Sequence, residues 1–267
     1  FQANHVAGAF ICGSTGEGVS LTREARMQLA EAWIEAARTH QLKLIVHVGH
    51  NSGVEAAKLA AHAAKLGVDG VAVMAPSYFK SSSPQGLLDY MKPIAAACRS
   101  VPFYFYDIPS LTGVRLSTPD VLSLFSEQVP NFAGIKYTKD DLIELQECLS
   151  LAGDRWPILF GSDEILLAAY AYGVRGAVGS TYNFIPQLYH QMIVAYDAGQ
   201  LEEVRRLQLL SVRIIRVCQR YGFPAAAKTA MQLIGIDCGP VRPPLRKLAD
   251  TQAPLLLDEL KRLTSEI

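Results

Sequence analysis

The strongest constraint on the fold of this 267-residue chain is a regular alternation of short apolar runs and longer amphipathic runs. The short runs have the length and the Val, Ile and Phe content of strands that are buried on both faces. They cover residues 7–12, 43–49, 70–75, 102–108, 132–138, 157–161 and 176–180. A helical pattern follows each of them, at residues 22–39, 54–66, 84–99, 119–127, 141–151, 164–172 and 186–198. This alternation predicts parallel strands joined by crossover helices.

Two α/β architectures contain such units, the doubly wound sheet and the (β/α)8 TIM barrel. Seven consecutive units at a spacing of about thirty residues favour the barrel. Since only seven strands are visible, we expect a first strand and helix to be absent from this chain, or an irregular strand to be hidden in it. Further helical segments at residues 202–221, 225–234 and 254–264 predict a C-terminal helical extension. We expect residues 1–200 to form the catalytic barrel and residues 201–267 an extension of the same domain.

The charge balance and the cysteines restrict the classes of function. The chain has 25 acidic and 25 basic residues, so it carries no basic footprint for nucleic acid or an anionic membrane, and neither partner is expected. The five cysteines are scattered without a C-x-x-C pair, which favours a reducing compartment. Residues 1–5 lack the charged-then-apolar plan of a signal peptide, so a cytoplasmic location is expected.

Lys136 is the most unusual residue in the predicted strands, because it interrupts the apolar run 132–138. Burying an ammonium group is costly. One interpretation is a lysine on an edge strand, whose head reaches water while its stem packs. The other is an amine in a pocket that disfavours its charge, where the neutral form attacks a ketone to form a Schiff base.

Polar residues end several predicted strands, where the chemistry of a barrel is located. The first visible strand ends at Gly13-Ser14-Thr15-Gly16-Glu17-Gly18, which predicts a cradle for a carboxylate or phosphate. An ordinary βα loop is the alternative. The fourth strand ends at Tyr106-Asp107-Ile108-Pro109, where the tyrosine either transfers protons beside an amine or simply packs.

The remaining strand ends leave further alternatives open. His47 and His50 suggest a metal, but positions i and i+3 of a strand face opposite sides, and no third ligand is evident. Asp163 and Glu164 follow the sixth strand, where they either begin a helix or hold substrate hydroxyls. The Gly179-Ser180 end of the seventh strand keeps a phosphosugar enzyme open.

Three of these motifs, in this order, resemble the pyruvate-dependent class I aldolases of the dihydrodipicolinate synthase and N-acetylneuraminate lyase family. The motifs are Gly13-Ser14-Thr15-Gly16-Glu17, Tyr106-Asp107-Ile108-Pro109 and Gly134-Ile135-Lys136. The resemblance extends over residues 8–248. It implies a TIM barrel with one more strand and helix before the first motif, a homotetramer, and catalysis without a metal or an organic cofactor.

The resemblance also implies roles for individual residues. Lys136 would form the Schiff base with the keto carbon of pyruvate, and Tyr106 would move protons beside the imine. Ser14 and Thr15 would bind the pyruvate carboxylate. Tyr78, lent by a neighbouring subunit, would complete a hydroxyl relay with Ser14 and Tyr106.

Within the family, the sequence favours the lyase branch. Synthases typically carry an arginine two residues after the proline of the tyrosine motif, where this chain has Leu111. The polyhydroxyl side of a sugar acid would be lined by Thr138, Gly161, Asp163, Glu164 and Ser180. The expected activity is a carbon–carbon lyase that reversibly cleaves N-acetylneuraminate to N-acetylmannosamine and pyruvate. The alternatives are another aldolase or synthase of the family and a catalytically silent barrel that binds a keto acid.

Overall fold

A computed structural model describes residues 4–267; Phe1, Gln2 and Ala3, which belong to the segment inspected for a signal peptide, lie outside the described residues. Seven strands of the described part form one parallel sheet. They are β1 (Gly8–Ile11), β2 (Lys43–His47), β3 (Gly70–Met74), β4 (Phe103–Asp107), β5 (Phe132–Tyr137), β6 (Ile158–Phe160) and β7 (Gly176–Ala177). Their order in the sheet equals their order along the chain, so the predicted parallel α/β class is confirmed.

Eleven α-helices connect and follow these strands within residues 4–267. They are α1 (Arg23–His40), α2 (Gly53–Leu66), α3 (Pro84–Ala97), α4 (Pro109–Thr112), α5 (Thr118–Gln128), α6 (Leu142–Ala152), α7 (Leu166–Ala171), α8 (Pro186–Asp197), α9 (Leu201–Arg220), α10 (Phe223–Ala230) and α11 (Gln252–Thr264). Five of them begin at a polar side chain that accepts a backbone N–H bond, namely at Thr22, Ser52, Ser83, Ser117 and Asp141. None of the helices in residues 4–267 is both long enough and apolar enough to cross a bilayer.

The sheet is curled. Its edge strands β1 and β7 lie at opposite ends of the strand order, yet both line a single cavity. One part of the barrel prediction is therefore confirmed: the chain forms a curled parallel sheet, and helices follow its strands. Residues 4–267 contain no eighth strand in this sheet, so the expectation of a hidden irregular strand is wrong for the described residues.

Three predicted elements differ from the structure. Helix α4 was not expected, and the predicted strand 176–180 is paired only over Gly176–Ala177. The predicted helix 225–234 is divided into α10 and a 3₁₀ turn at Met231–Ile234.

The C-terminal helices complete the wall of the cavity. Helix α9 packs against α8 and α11, and α10 packs against α9. Ile215 of α9 and Ala227 of α10 line the cavity together with strand residues. The helical extension is therefore part of the body that forms the candidate site.

Candidate active site

The carboxyl ends of the strands open into a cavity of about 1490 Å³. Nine of the ten residues singled out as catalytic or substrate-binding line it: Ser14, Thr15, Tyr106, Lys136, Thr138, Gly161, Asp163, Glu164 and Ser180. The tenth, Tyr78, does not. The structure thus gathers on one surface side chains that come from five different strand ends.

Lys136 lies in β5, between β4 and β6, and is only 6% exposed. The interpretation of an edge-strand lysine is therefore wrong. Its Nζ lies 3.7 Å from the ring centroid of Tyr106 and 4.9 Å from that of Phe10. Among residues 4–267, no carboxylate forms an ion pair with this amine. The two rings contact the amine without forming an ion pair with it, and Lys136 lines the cavity, so its nitrogen can be reached by a ketone that binds there.

A bulge in β5 sets Lys136 opposite Tyr106. The β4–β5 ladder pairs Phe103 with Phe132 and then Tyr104 with Gly134, which skips one residue of β5. Without the skipped residue, Tyr106 would lie opposite Ile135, and the side chain of Lys136 would point to the other face of the sheet. Gly134 has φ 138°, and a Cβ on it would collide with the carbonyl oxygen of Pro157. A glycine before Ile135-Lys136 is therefore a requirement of the backbone.

The ring of Tyr106 packs against two aromatic rings, and its hydroxyl lies near the hydroxyl of Ser14. Its ring lies edge-on to Phe10 at 5.5 Å and to His47 at 5.8 Å, and its hydroxyl is 3.3 Å from Ser14 Oγ. The His47 Nδ1 donates to the carbonyl of Cys12 at 2.9 Å. Burial lowers the pKa of His47 to about 3, so this ring is neutral and serves as packing.

The loop Gly13–Gly18 presents the predicted anion cradle. Its turn is closed by bonds from Glu17 N to Ser14 O and from Gly18 N to Gly13 O, at 3.0 and 3.1 Å. Within the described residues, the backbone N–H groups of Ser14 and Thr15 donate to no backbone carbonyl. Thr15 Oγ1 lies 2.5 Å from Ser180 Oγ, so the loop also meets the end of β7. Unpaired N–H groups beside two hydroxyls fit a carboxylate.

The cavity lining also holds three buried polar atoms without a hydrogen-bond partner in the described residues: Thr138 Oγ1, Asp163 Oδ1 and Tyr182 Oη. Asp163 is 5% exposed, and its other oxygen accepts bonds from the backbone N–H and the hydroxyl of Thr181 at 2.9 and 2.6 Å. Buried polar groups normally have hydrogen-bond partners, so a polar ligand that bonds to these atoms would gain binding free energy there. Tyr182 was missed by the sequence reasoning, because its position in the 3₁₀ turn Thr181–Asn183 gives no strand signal.

Two glycines make room for these polar side chains. A Cβ at position 161 would collide with the hydroxyl of Thr138, and one at position 179 would collide with the carboxylate of Asp163. Burial raises the pKa of Asp163 to about 6, while its bonds from Thr181 act in the opposite direction. Glu164 is half-buried beside it and lines the same wall.

Asp107, which follows Tyr106 at the end of β4, does not line the cavity. Its carboxylate accepts a bond from Thr118 Oγ1 at 2.7 Å and forms an ion pair with Lys139 at 2.9 Å. Lys139 in turn pairs with Glu144 at 2.7 Å. Burial raises the pKa of Asp107, and the contact with Lys139 opposes that shift. This residue stabilises the join between β4 and β5 and contacts no ligand in the cavity.

Tyr78 and Leu111 lie at the rim. Tyr78 is 77% exposed and packs edge-on against Phe79, with 4.9 Å between the ring centroids. It is therefore not joined to the Ser14–Tyr106 pair within a single chain. Leu111 of α4 is exposed and lines the cavity. Within residues 4–267, no group of three or more His, Cys, Asp or Glu side chains could hold a metal ion.

The fold and the cavity define a parallel α/β protein with a buried amine at the carboxyl ends of its strands. The chain belongs to the dihydrodipicolinate synthetase family, whose sequence pattern matches residues 2–263. The N-acetylneuraminate lyase of Danio rerio is 36% identical over 266 residues, which is 98% of this chain and 87% of that protein.

Solved structures agree with this assignment. The N-acetylneuraminate lyase of Proteus mirabilis has a TM-score of 0.95 and 37% identity, covering 98% of this chain and 88% of that one. The N-acetylneuraminate lyase, or sialic acid aldolase, of Aliivibrio salmonicida has a TM-score of 0.94 and 35% identity, covering 97% and 86%. The family resemblance found from three short motifs is thus confirmed over nearly the whole chain.

Proposed function

We propose that this protein is an N-acetylneuraminate lyase, which reversibly cleaves N-acetylneuraminate to N-acetylmannosamine and pyruvate. The observation that carries the proposal is the Lys136 amine, buried without an acid partner and directly opposite Tyr106. The names of the similar proteins from Danio rerio and Proteus mirabilis support the same reaction.

The reaction follows from the positions of these two side chains. The neutral amine of Lys136 adds to the keto carbon of the substrate, and loss of water gives an imine. The imine is protonated on nitrogen, and the oxygen of Tyr106 takes the proton of the hydroxyl group two carbons from the imine carbon. As the carbon–carbon bond breaks, the hydroxyl oxygen becomes the carbonyl oxygen of an aldehyde. The electron pair of that bond forms a new carbon–carbon double bond, and the pair of the carbon–nitrogen double bond moves to the nitrogen, which gives a neutral enamine. Protonation of the enamine carbon and hydrolysis release pyruvate and restore the amine.

The two halves of the substrate would contact different parts of the cavity lining. Ser14 and Thr15 would bind the carboxylate next to the keto carbon, and the 3.3 Å contact from Ser14 to Tyr106 supports a shared proton path. The polyhydroxyl half would contact Ser180, which adjoins Thr15, and Thr138, Gly161, Asp163 and Glu164. The exposed Leu111 supports cleavage of a sugar acid over condensation with aspartate semialdehyde, because no arginine grips a second carboxylate there.

The proposal extends to the assembly of the protein. The neighbouring Tyr78 and Phe79 are both exposed aromatic residues, which supports a contact between subunits that delivers Tyr78 to the relay. We place the enzyme in the cytoplasm as a homotetramer that acts without metal or organic cofactor. A strand between β1 and β7 would close the curled sheet into an eight-stranded barrel, with residues 1–200 as its catalytic part and 201–267 as the helical extension.

Covalent trapping tests this proposal. Incubation with pyruvate and borohydride should fix the mass of a reduced pyruvate adduct on Lys136, because reduction makes the imine permanent. Peptide mass spectrometry identifies the labelled lysine, and label on Lys80 or Lys139 would contradict the assignment. A panel of sugar acids, read by pyruvate release, should give the highest kcat/KM with N-acetylneuraminate. Efficient condensation of aspartate semialdehyde without sialic acid cleavage would indicate the synthase reaction.

Glu164→Ala tests the polyhydroxyl wall. A carboxylate accepts strong hydrogen bonds from hydroxyl groups, so its removal should raise KM for N-acetylneuraminate about tenfold or more. Labelling of Lys136 by pyruvate and borohydride should remain, since that half of the site is unchanged. Glu147→Ala is the matched control, because Glu147 is exposed on α6 and does not line the cavity. Equal KM values for both variants would remove Glu164 from the substrate contacts.

A further inference from the structure

One buried carboxylate joins the loop Gly13–Gly18 to the C-terminal part of the chain. Glu17 is 7% exposed, and its Oε2 forms a 2.6 Å ion pair with Lys228 of α10. Its Oε1 accepts a 2.6 Å bond from the backbone N–H of Arg242. Lys228 also donates to the carbonyl of Pro240 at 2.9 Å. We call these contacts the Glu17 clasp. They connect distant parts of the chain, since Arg242 lies 225 residues after Glu17.

The loop needs such support because its backbone is strained. Cys12 and Glu17 have φ of 56° and 51°, a left-handed conformation that costs free energy for any residue other than glycine. A Cβ at Gly18 would collide with the carbonyl oxygen of Cys12, so the turn is also tightly closed. The side-chain contacts of Ser14 and Thr15 are made by the same hydroxyls that the substrate carboxylate would engage. The clasp is therefore a side-chain contact that holds the loop independently of ligand, in addition to the backbone bonds that close its turn.

The clasp also controls the charge of the loop. Burial acts to raise the pKa of Glu17, but the bonds from Lys228 and Arg242 outweigh it and leave the pKa below its ordinary value. Glu17 is thus an anion within the loop that presents Ser14 and Thr15. The ammonium of Lys228 compensates it. Neither Glu17 nor Lys228 lines the cavity, but removing this ammonium would leave an uncompensated negative charge in the loop that would bind a second carboxylate.

We propose that Glu17 and Lys228 are a positioning pair that sets the affinity of the Ser14–Thr15 loop for the carboxylate of the keto acid. The C-terminal part of the chain thereby governs binding of the anionic half of the substrate, although it contributes none of the reacting groups. This inference rests on the proposed function, because it takes pyruvate as the ligand of the loop.

A double-mutant cycle tests the pair, using Lys228→Met, Glu17→Gln and both together. The measurement is the pyruvate concentration that gives half-maximal borohydride labelling of Lys136. Lys228→Met should raise it about tenfold, as expected for coupled neighbouring groups, because the anion is left uncompensated. Glu17→Gln keeps an acceptor for Arg242 N–H without the charge, so its effect should be smaller. The double variant should bind pyruvate more tightly than Lys228→Met alone.

Pyruvamide separates positioning from general damage to the site. It has the shape and the ketone of pyruvate but no carboxylate, so its half-saturating concentration should be the same in Lys228→Met and in the wild type. Labelling at saturating pyruvate should also be unchanged, and Lys228→Arg should restore the affinity. Glu259→Gln is the matched control, since Glu259 accepts bonds from Arg220 and from Tyr221 within the C-terminal helices and lies outside the cavity.

The outcomes distinguish the two proposals. If wild-type Lys136 is not labelled by pyruvate, the proposed function fails. If the wild type is labelled but both single variants match its half-saturating concentration, the positioning role is overturned. A parallel loss of pyruvate and pyruvamide binding with a lower Tm would also overturn it, because the clasp would then be purely structural.

Discussion

Lys136→Met is expected to abolish turnover and pyruvate labelling while the folded protein stays at least as stable as the wild type. The methionine keeps most of the stem volume but removes the nitrogen that forms the imine. Lost attraction to the Phe10 and Tyr106 rings would cost about 0.5–2 kcal/mol. Lys136→Met also removes the cost of burying a polar amine that pairs with no acid among residues 4–267, and we expect this gain to offset the loss. Tm should therefore be unchanged or higher.

Lys136→Arg keeps a positively charged side chain at this position but removes the amine nucleophile. A guanidinium stays protonated and cannot attack the ketone, so turnover should again be lost. Lys58→Arg is the matched control, because Lys58 lies on the surface of α2 and pairs with Glu55. That control should retain wild-type kcat. Turnover or pyruvate labelling that persists in the Lys136 variants would place the nucleophile elsewhere.

Tyr106→Phe is expected to lower kcat about 10²–10⁴-fold, the usual contribution of a positioned acid–base group. The ring contacts with Phe10 and His47 remain, so only the hydroxyl and its 3.3 Å contact with Ser14 disappear. Loss of that contact should reduce the free energy of unfolding by no more than about 0.5–1.5 kcal/mol. Steady-state kinetics with N-acetylneuraminate and thermal unfolding measure the two effects separately.

Tyr104→Phe provides the control on the same strand. Tyr104 belongs to β4, but its side chain does not line the cavity. Its loss of a hydroxyl should leave kcat within about threefold of the wild type, as for substitutions away from the reacting atoms. Equal kcat values for the two tyrosine variants would make Tyr106 a packing residue.

The strands could be predicted from the sequence because their signal is local. Runs of β-branched and aromatic residues between glycine or proline boundaries placed the start of β2, β3 and β5 at the correct residue. The predicted ends were one or two residues too long, because the extended backbone continues past the last paired residue. Thr138, for example, still donates its N–H to the carbonyl of Asp107 beyond the end of β5.

The helices were less predictable where tertiary contacts or single turns decide them. Helix α4 has only four residues, too few to show a helical period. Gly235, with φ 75°, ends the 3₁₀ turn after α10, and apolar periodicity alone does not reveal where an α-helix tightens into that turn.

The candidate site was predicted well where strand ends decide it and poorly where distant segments meet. Its position inside an apolar run drew attention to Lys136, the strand-end rule drew attention to Asp163, and both line the cavity. The pairing of Glu17 with Lys228 could not be predicted, since no local pattern links a βα loop to a helix near the other end of the chain. His47 looked like half of a metal pair, and only its burial against Tyr106 identifies it as packing.

The bulge at the start of β5 has a consequence for how enzymes of this kind diverge. Lys136 and Tyr106 face each other because the hydrogen-bond ladder between two central strands sets their register. The groups proposed to contact the sugar, such as Asp163, Glu164 and Ser180, lie on the turns beyond the strands, outside that ladder. A library that randomises those turns while β4 and β5 stay fixed would therefore sample new aldehyde partners around an unchanged pair of Lys136 and Tyr106.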